Sequence, residues 1–413
     1  MKILLLTDIP PCKNYTAGLV LNQLCRFLPR GSIACYSVVD PAVGATMSPD
    51  LDWIPEQRDT KPRVLAWRVL ELAWRVLPWK FGIAPAWARE TYNAAFHVPR
   101  IARRAIAFGR AFGADTVWCV LQGQTMVRLA VRVSRGLDVP LRTLVWDPLE
   151  WWLTDKRVDR FSRRSILRQF DRALRSSECC AVASWAMAEH YADRYGNKNV
   201  PVISSRDKAW ARPPAEALHP GDELIIGFAG QLYATAEWGN LLSTLEKAKW
   251  AVEGRRVRLR VLGRSAFLHA SGATNIEYLG WHDQEDAIRL MSEADILYCP
   301  YWSDPAFELE ARLSFPGKVV TYLAAGRPIL FHGPDYASPA RFLADHDAAL
   351  QCHSLENARI YNCLARLVLD ADLYRQLSHN GRRAFDAHFT LDSMRKNFAE
   401  FLDVDADFLV QSD

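Results

Sequence analysis

The stretch SFPGKVVTYLAAGRPIL, from Ser314 to Leu330, combines residue types that suit one chemistry, the binding of a phosphate. Pro316 and Gly317 stand where a helix would open and Gly326 where it would close, the usual asymmetry of helix ends. The apolar run ILYCPY (296–301) precedes it and PILF begins at Pro328. A helix that starts beyond the carboxyl end of a parallel strand aims free N–H groups at the crevice there. Lys318 adds a cation in the first turn. The competing reading is an ordinary βα unit with a surface lysine, since any doubly wound sheet contains such turns.

Carboxylates are the other useful groups. Asp147 ends the run LRTLVW and opens DPLEWW, which sets it at a strand end with Glu150 and two tryptophans. A carboxylate there can take a proton from a hydroxyl or orient that hydroxyl. An Asp before Pro also often caps the following turn, so both roles stay open. Asp8 ends the first strand-like run, ahead of Thr16 and Gly18, where the next helix begins.

These residues need a frame, and the chain supplies two alternating β/α series. Strands are expected at 1–7, 32–39, 116–121, 141–147, 179–184 and 200–204, with helical patterns between most of them. The segment Ser205 to Asp222 has three prolines and little periodicity, and reads as a linker. A second series follows at 224–229, 258–262, 275–279, 296–301, 328–331 and 348–352. Short buried strands alternating with helices imply parallel sheets covered on both faces, hence an α/β chain of two Rossmann-like domains.

Length agrees, because 413 residues exceed the roughly 250–300 at which a single core stops growing. The opening MKILLLT does not read as a signal peptide, and no run of about 20 uncharged apolar residues suggests a span. The nine cysteines form no CxxC pair and no metal-type spacing, so reduced thiols in a cytoplasmic protein without a metal site are expected. Charge divides unevenly. Residues 1–210 hold 31 basic and 19 acidic side chains and the rest hold 20 and 28, which points to an anionic partner for the first half only.

At this level a resemblance emerges. The series GFAGQL (227–232), RVLGRS (260–265), NIEYLGW (275–281), EADILYCPY (293–301) and SFPGKVVTYLAAGRPIL resembles the nucleotide-sugar-binding domain of GT-B glycosyltransferases, in the broad group related to family 4. The first half is similar too, through its opening strand, the loop ending in Gly18 and the segment VASWAMAEHYADRYG (182–196). The resemblance implies an acceptor-binding domain at 1–205 with the final segment 390–413 crossing back to it, a linker at 206–222 and a donor-binding domain at 223–389. It implies transfer of a sugar from a UDP- or GDP-linked donor to a lipid-linked, glycan or polysaccharide acceptor, with no metal or other cofactor. The alternative is a protein of this fold that is not a transferase, either a non-catalytic scaffold or a nucleotide-sugar epimerase. Nothing points to nucleic acid.

The donor-binding residues so implied are Gly230, Gln231, Leu232, Gly263, Arg264, Ser265, Trp281, Tyr301, Ser314, Phe315, Pro316, Gly317, Lys318 and Thr321. Asp147, Lys318 and Asp8 are the catalytic candidates, and Thr16, Gly18, Gln122 and Glu150 would line the acceptor side. Two departures stand out. Many family 4 members carry two glutamates seven residues apart, but Ser314 and Thr321 occupy those positions here. Many also place an Arg and a Lys in the first donor-domain loop, whereas GQLYATAEWGN (230–240) has neither.

One further segment has a composition of its own. In KPRVLAWRVLELAWRVLPWKFG (61–82) the unit AWRVL occurs twice, seven residues apart, so a helix would align Trp67 with Trp74 beside the polar stripe of Arg68, Glu71 and Arg75. Tryptophan with Arg and Lys on an apolar helix suits a helix lying on anionic lipid at the inner face of the cytoplasmic membrane; packing within the acceptor domain or a dimer contact is the alternative. Membrane contact through Trp67, Arg68, Trp74 and Arg75 predicts co-sedimentation with vesicles that rises with anionic lipid and weakens in salt. The triple change Trp67→Ala/Trp74→Ala/Arg68→Glu should abolish it, and a wild type indifferent to lipid charge would refute the idea.

Overall fold

A computed structural model describes residues 1–61, 90–156, 158–263 and 273–411. The chain divides into two compact units, Met1–Val202 with Arg395–Asp413, and Ile203–Met394. All twelve expected strands are present among the described residues.

In the first unit β1 (Ile3–Thr7), β2 (Ile33–Val39), β3 (Glu56–Thr60), β4 (Thr116–Val120), β5 (Leu141–Val145), β6 (Ser177–Val182) and β7 (Lys198–Pro201) form one sheet in the order β3-β2-β1-β4-β5-β6-β7. Every neighbouring pair is parallel. The helices α1 (Thr16–Arg26), α2 (Val98–Phe112), α3 (Gly123–Leu137), α4 (Leu149–Asp155), α5 (Arg160–Arg175) and α6 (Trp185–Tyr195) connect them. β1, β2, β4 and β5 are wholly buried, which is why they read as continuous apolar runs. The edge strand β3, EQRDT, alternates exposed and half-buried residues and has no apolar signal. Local chemistry sets the helix ends. Ser184 accepts the Met187 N–H at the start of α6, and Gly196 ends it in the left-handed conformation.

The second unit contains β8 (Glu223–Ala229), the short β9 (Ala251–Val252), β10 (Arg255–Leu262), β11 (Ile276–Gly280), β12 (Ile296–Pro300), β13 (Ile329–His332) and β14 (Ala349–Cys352). Their order is β11-β10-β8-β12-β13-β14, with β9 paired to β10. Its helices are α7 (Thr235–Lys247), α8 (Gln284–Ser292), α9 (Glu308–Leu313), α10 (Gly317–Ala325), α11 (Ser338–Asp345), α12 (Asn357–Leu369) and α13 (Ala371–His388), followed by α14 (Leu391–Leu402).

The segment read as a linker forms no strand or α-helix and packs within the second unit. Residues 206–222 lie against the second unit: Arg212 and Ala215 donate their N–H groups to the carbonyls of Ala324 and Gly326, and Asp295 accepts the N–H of His219. Proline prevents regular structure there without preventing packing.

From Arg395 onward α14 belongs to the first unit. Trp118 of β4, fully buried, packs its ring on Phe398 and Phe401 at 5.3 and 6.1 Å. Arg142 donates to the Phe401 carbonyl at 2.7 Å, and Asn397 to that of Pro201 at 2.9 Å. Phe398→Ala should therefore cost about 3–5 kcal/mol. Hydrogen exchange of the β4 amides in increasing urea is expected to show that loss in the first unit.

Candidate functional site

In each sheet the strand order reverses beside the first strand, between β1 and β4 in one unit and between β8 and β12 in the other. Ligands of open α/β sheets bind at the carboxyl ends of such strand pairs. In the second unit β8 and β12 pair only at Ile226↔Ile296 and Gly227↔Leu297, and beyond these they part. The Tyr322 hydroxyl of α10 fills the gap, accepting the Ala229 N–H at 2.8 Å and donating to the Tyr298 carbonyl at 3.2 Å. α10 is thereby seated with its first turn at the opening. Pro316 is its extended N-cap, and Gly326, at φ +69°, terminates it.

Lys318 is not a surface lysine. It is 9% exposed, and its Nζ lies 4.3 Å from the ring centre of Phe228 and 3.9 Å from that of Tyr233. Among the described residues no group accepts a hydrogen bond from Nζ. Burial pushes its pKa down to about 7, and the nearby Cys299 acts in the opposite direction. Gly230 takes φ +124°, which an L side chain rarely adopts, and a Cβ there would lie 3.6 Å from Lys318 Cε. A buried cation at a helix N-terminus, with no carboxylate on it among the described residues, is poised for an anion.

The other expected donor residues separate into those at this opening and those that support it. Gln231 is exposed, whereas Leu232 packs on the apolar core. Gly263 follows β10 and donates its N–H to the Gly280 carbonyl, and Trp281, 56% exposed, follows β11. Tyr301 and Phe315 are buried beside the opening. Tyr301 is buried with its hydroxyl on the Ser314 carbonyl at 3.1 Å, and Phe315 packs against Phe342 and Phe389. Ser314 is the buried C-cap of α9, and Thr321 lies one turn into α10, its hydroxyl 3.4 Å from the Gly317 carbonyl. Arg264 and Ser265 lie outside the described residues, as do Trp67, Arg68, Trp74 and Arg75.

In the first unit Asp8 and Gln122 meet at the reversal. Asp8 Oδ2 is 3.1 Å from Lys61 Nζ, while Asp8 Oδ1 and the Gln122 amide oxygen are buried with no hydrogen-bond partner among the described residues. Burial raises the Asp8 pKa, and Lys61 offsets part of that rise. Gly123 brings the start of α3 close, since a Cβ on it would lie 3.9 Å from Asp8 Oδ2 and 3.3 Å from Trp152. Asp147 is exposed past the end of β5. Two acceptor-side candidates have close neighbours within the unit. The Glu150 carboxylate pairs with Arg194 at 3.5 Å, in a cluster with Asp171. Gly18 packs inward, because a Cβ would meet Cys12 Sγ at 2.1 Å. Thr16 opens α1.

Sequence reasoning missed Arg206, Tyr233 and Lys61. Arg206 was absorbed into the linker, and no local pattern marks a lone arginine as buried. Tyr233 lies in the loop noted for lacking cations, where only the fold shows that it offers a ring face to one.

No protein-family model and no curated sequence matches the chain. Solved structures do. Sucrose-phosphate synthase from Thermosynechococcus elongatus shares 13% identity over 98% of each chain, with a TM-score of 0.67. HepE from Anabaena, in complex with UDP, shares 13% over 98% of this chain and 100% of that one, with a TM-score of 0.66. The lipopolysaccharide outer core galactosyltransferase WaaB, in apo form, shares 12% over 97% and 98%, with a TM-score of 0.61. The chain thus has the GT-B fold of two Rossmann-like units. Among the described residues no helix is long and apolar enough to cross a membrane.

The buried lysine sets a pH dependence. Between about pH 7 and its ordinary value of 10.5, Lys318 binds fewer protons in the folded chain than in the unfolded one. Its burial therefore opposes folding most fully below pH 7, and the penalty fades as pH rises towards 10.5. Lys318→Met should stabilise the unliganded protein by an order of a few kcal/mol at pH 6–7. That gain should shrink by pH 10, as denaturant unfolding at the two pH values would show.

Proposed function

We propose that the protein is a glycosyltransferase that moves a sugar from a UDP- or GDP-linked donor to a lipid-linked, glycan or polysaccharide acceptor, without a metal. The observation that carries this reading is Lys318, a buried lysine at the first turn of α10 whose Nζ has no hydrogen-bond acceptor among the described residues, within the GT-B fold. The HepE structures solved with UDP and with UDP-glucose favour uridine. In this reading the diphosphate takes the free N–H groups of α10 and the charge of Lys318. The same groups meet the negative charge that develops as the bond from the anomeric carbon to the β-phosphate oxygen breaks.

The acceptor oxygen forms the new bond to the anomeric carbon, and its proton needs a base if the transfer inverts. Asp147, exposed at the carboxyl edge of the first sheet, is assigned that role; if the transfer retains, it orients the acceptor. Asp8, buried against Lys61, serves as an electrostatic partner. Work at the inner face of the cytoplasmic membrane, in polysaccharide biosynthesis, fits the basic first half and the Trp/Arg segment at 61–82. A second reading, a non-catalytic scaffold, draws on the neutral residues Ser314 and Thr321 where glutamates are common.

Calorimetry with UDP, and nucleotide release from a panel of donors with and without a lipid acceptor, separate the two. UDP is expected to bind equally well in EDTA, and Lys318→Ala to weaken it ten- to a hundredfold, as a charged hydrogen bond of roughly 1.5–3 kcal/mol implies. Asp147→Asn should keep UDP affinity and lose transfer. A wild type that neither binds UDP nor releases nucleotide would favour the scaffold.

A further inference from the structure

A second buried cation stands at the first turn of α10. Arg206 is 5% exposed, and its backbone is clamped to the segment after α13: its N–H donates to the Phe389 carbonyl and its own carbonyl accepts from Leu391. Nη1 donates to the Ser204 hydroxyl and the Ser205 carbonyl, both at 3.0 Å. Nη2 is 3.4 Å from the Thr321 hydroxyl. Gly317 lies beside it, with the position of a missing Cβ 3.9 Å from Nη2. The Nε has no partner among the described residues.

Every partner of this guanidinium among the described residues is neutral. Among the described residues no carboxylate pairs with Arg206 or with Lys318, although the unit carries an excess of acidic side chains elsewhere. Burying an ion costs several kcal/mol unless an opposite charge meets it. Placing it beside the positive end of a helix adds to the cost. A purely structural arginine gains nothing from that position, since a neutral donor would serve Ser205 and Thr321 equally well. An arriving anion removes both penalties at once. The neutral Thr321 fits the same logic, because a carboxylate at that position would lie beside Arg206 and consume its charge.

We propose that Arg206 is an anion-binding residue of the donor site, its guanidinium holding the diphosphate together with Lys318 across adjacent faces of the first turn of α10. The inference rests on the nucleotide-sugar reading above. It supplies from the segment preceding β8 the cation that the loop 230–240 lacks. Arginine suits the task because its planar fork matches two phosphate oxygens.

Titrations of the full-length protein with UDP, inorganic pyrophosphate and uridine test it, with unliganded melting curves as the fold control. Arg206→Gln should bind UDP and pyrophosphate at least tenfold more weakly, with uridine unchanged. Arg206→Lys, which keeps the charge if the Gln variant does not fold, should lose several-fold on both phosphates. A folded variant matching the wild type on pyrophosphate overturns the role of Arg206 while leaving the donor reading intact. A wild type that binds neither UDP nor pyrophosphate overturns the donor reading itself.

Discussion

The Tyr322 hydroxyl is the contact on which the second unit's site depends. Where β8 and β12 part, the Ala229 N–H and the Tyr298 carbonyl lose the ladder that would satisfy them, and both residues are buried. Each buried group left unpaired would cost roughly 1–3 kcal/mol. One hydroxyl satisfies both. The consequence is positional. Tyr322 can reach the two strands only if α10 lies along the cleft between them, and that placement carries Gly317, Lys318 and Thr321 to the opening. The gap that leaves backbone groups orphaned is also the crevice a ligand would enter.

The rest of the opening is braced from several elements. Glu237, buried at the start of α7, accepts the Ser303 N–H at 2.8 Å and so holds the loop after β12. Tyr301 holds Ser314, and the Phe315, Phe342 and Phe389 rings pack the approach to α10 from beneath. Tyr233 stacks on Trp302 at 4.4 Å and turns a ring face to Lys318. An aromatic face attracts a cation without neutralising it, so the lysine keeps its capacity for an anion while its desolvation is partly offset.

The two strand reversals differ in how their charges are met. In the first, the Asp8 carboxylate at the strand reversal is met by Lys61, and Glu150 by Arg194. In the second, Lys318 faces the Phe228 and Tyr233 rings and Arg206 bonds to hydroxyls and a carbonyl, with no carboxylate on either among the described residues. Paired charge gives the first site rigidity, and unpaired charge gives the second a demand for a ligand.

The sequence by itself determined the two β/α series, the ends of α6 and α10, and the candidacy of Gly230, Gly317 and Lys318, because those features are local. Apolar period, a capping serine, Pro before and Gly after a helix act within a few residues and leave a readable pattern. The edge strand β3 escaped for the converse reason, since a polar strand on the sheet edge buries too little to show periodicity. Only the tertiary structure decided that Lys318 is buried with no hydrogen-bond acceptor among the described residues, that Glu150 pairs with Arg194, and that Tyr301 and Phe315 are buried. It alone brought Arg206, 111 positions before Gly317, against the first turn of α10. Burial and ionic partnership are relations between residues far apart in the chain, and nothing in the local pattern around an arginine encodes what will close over it.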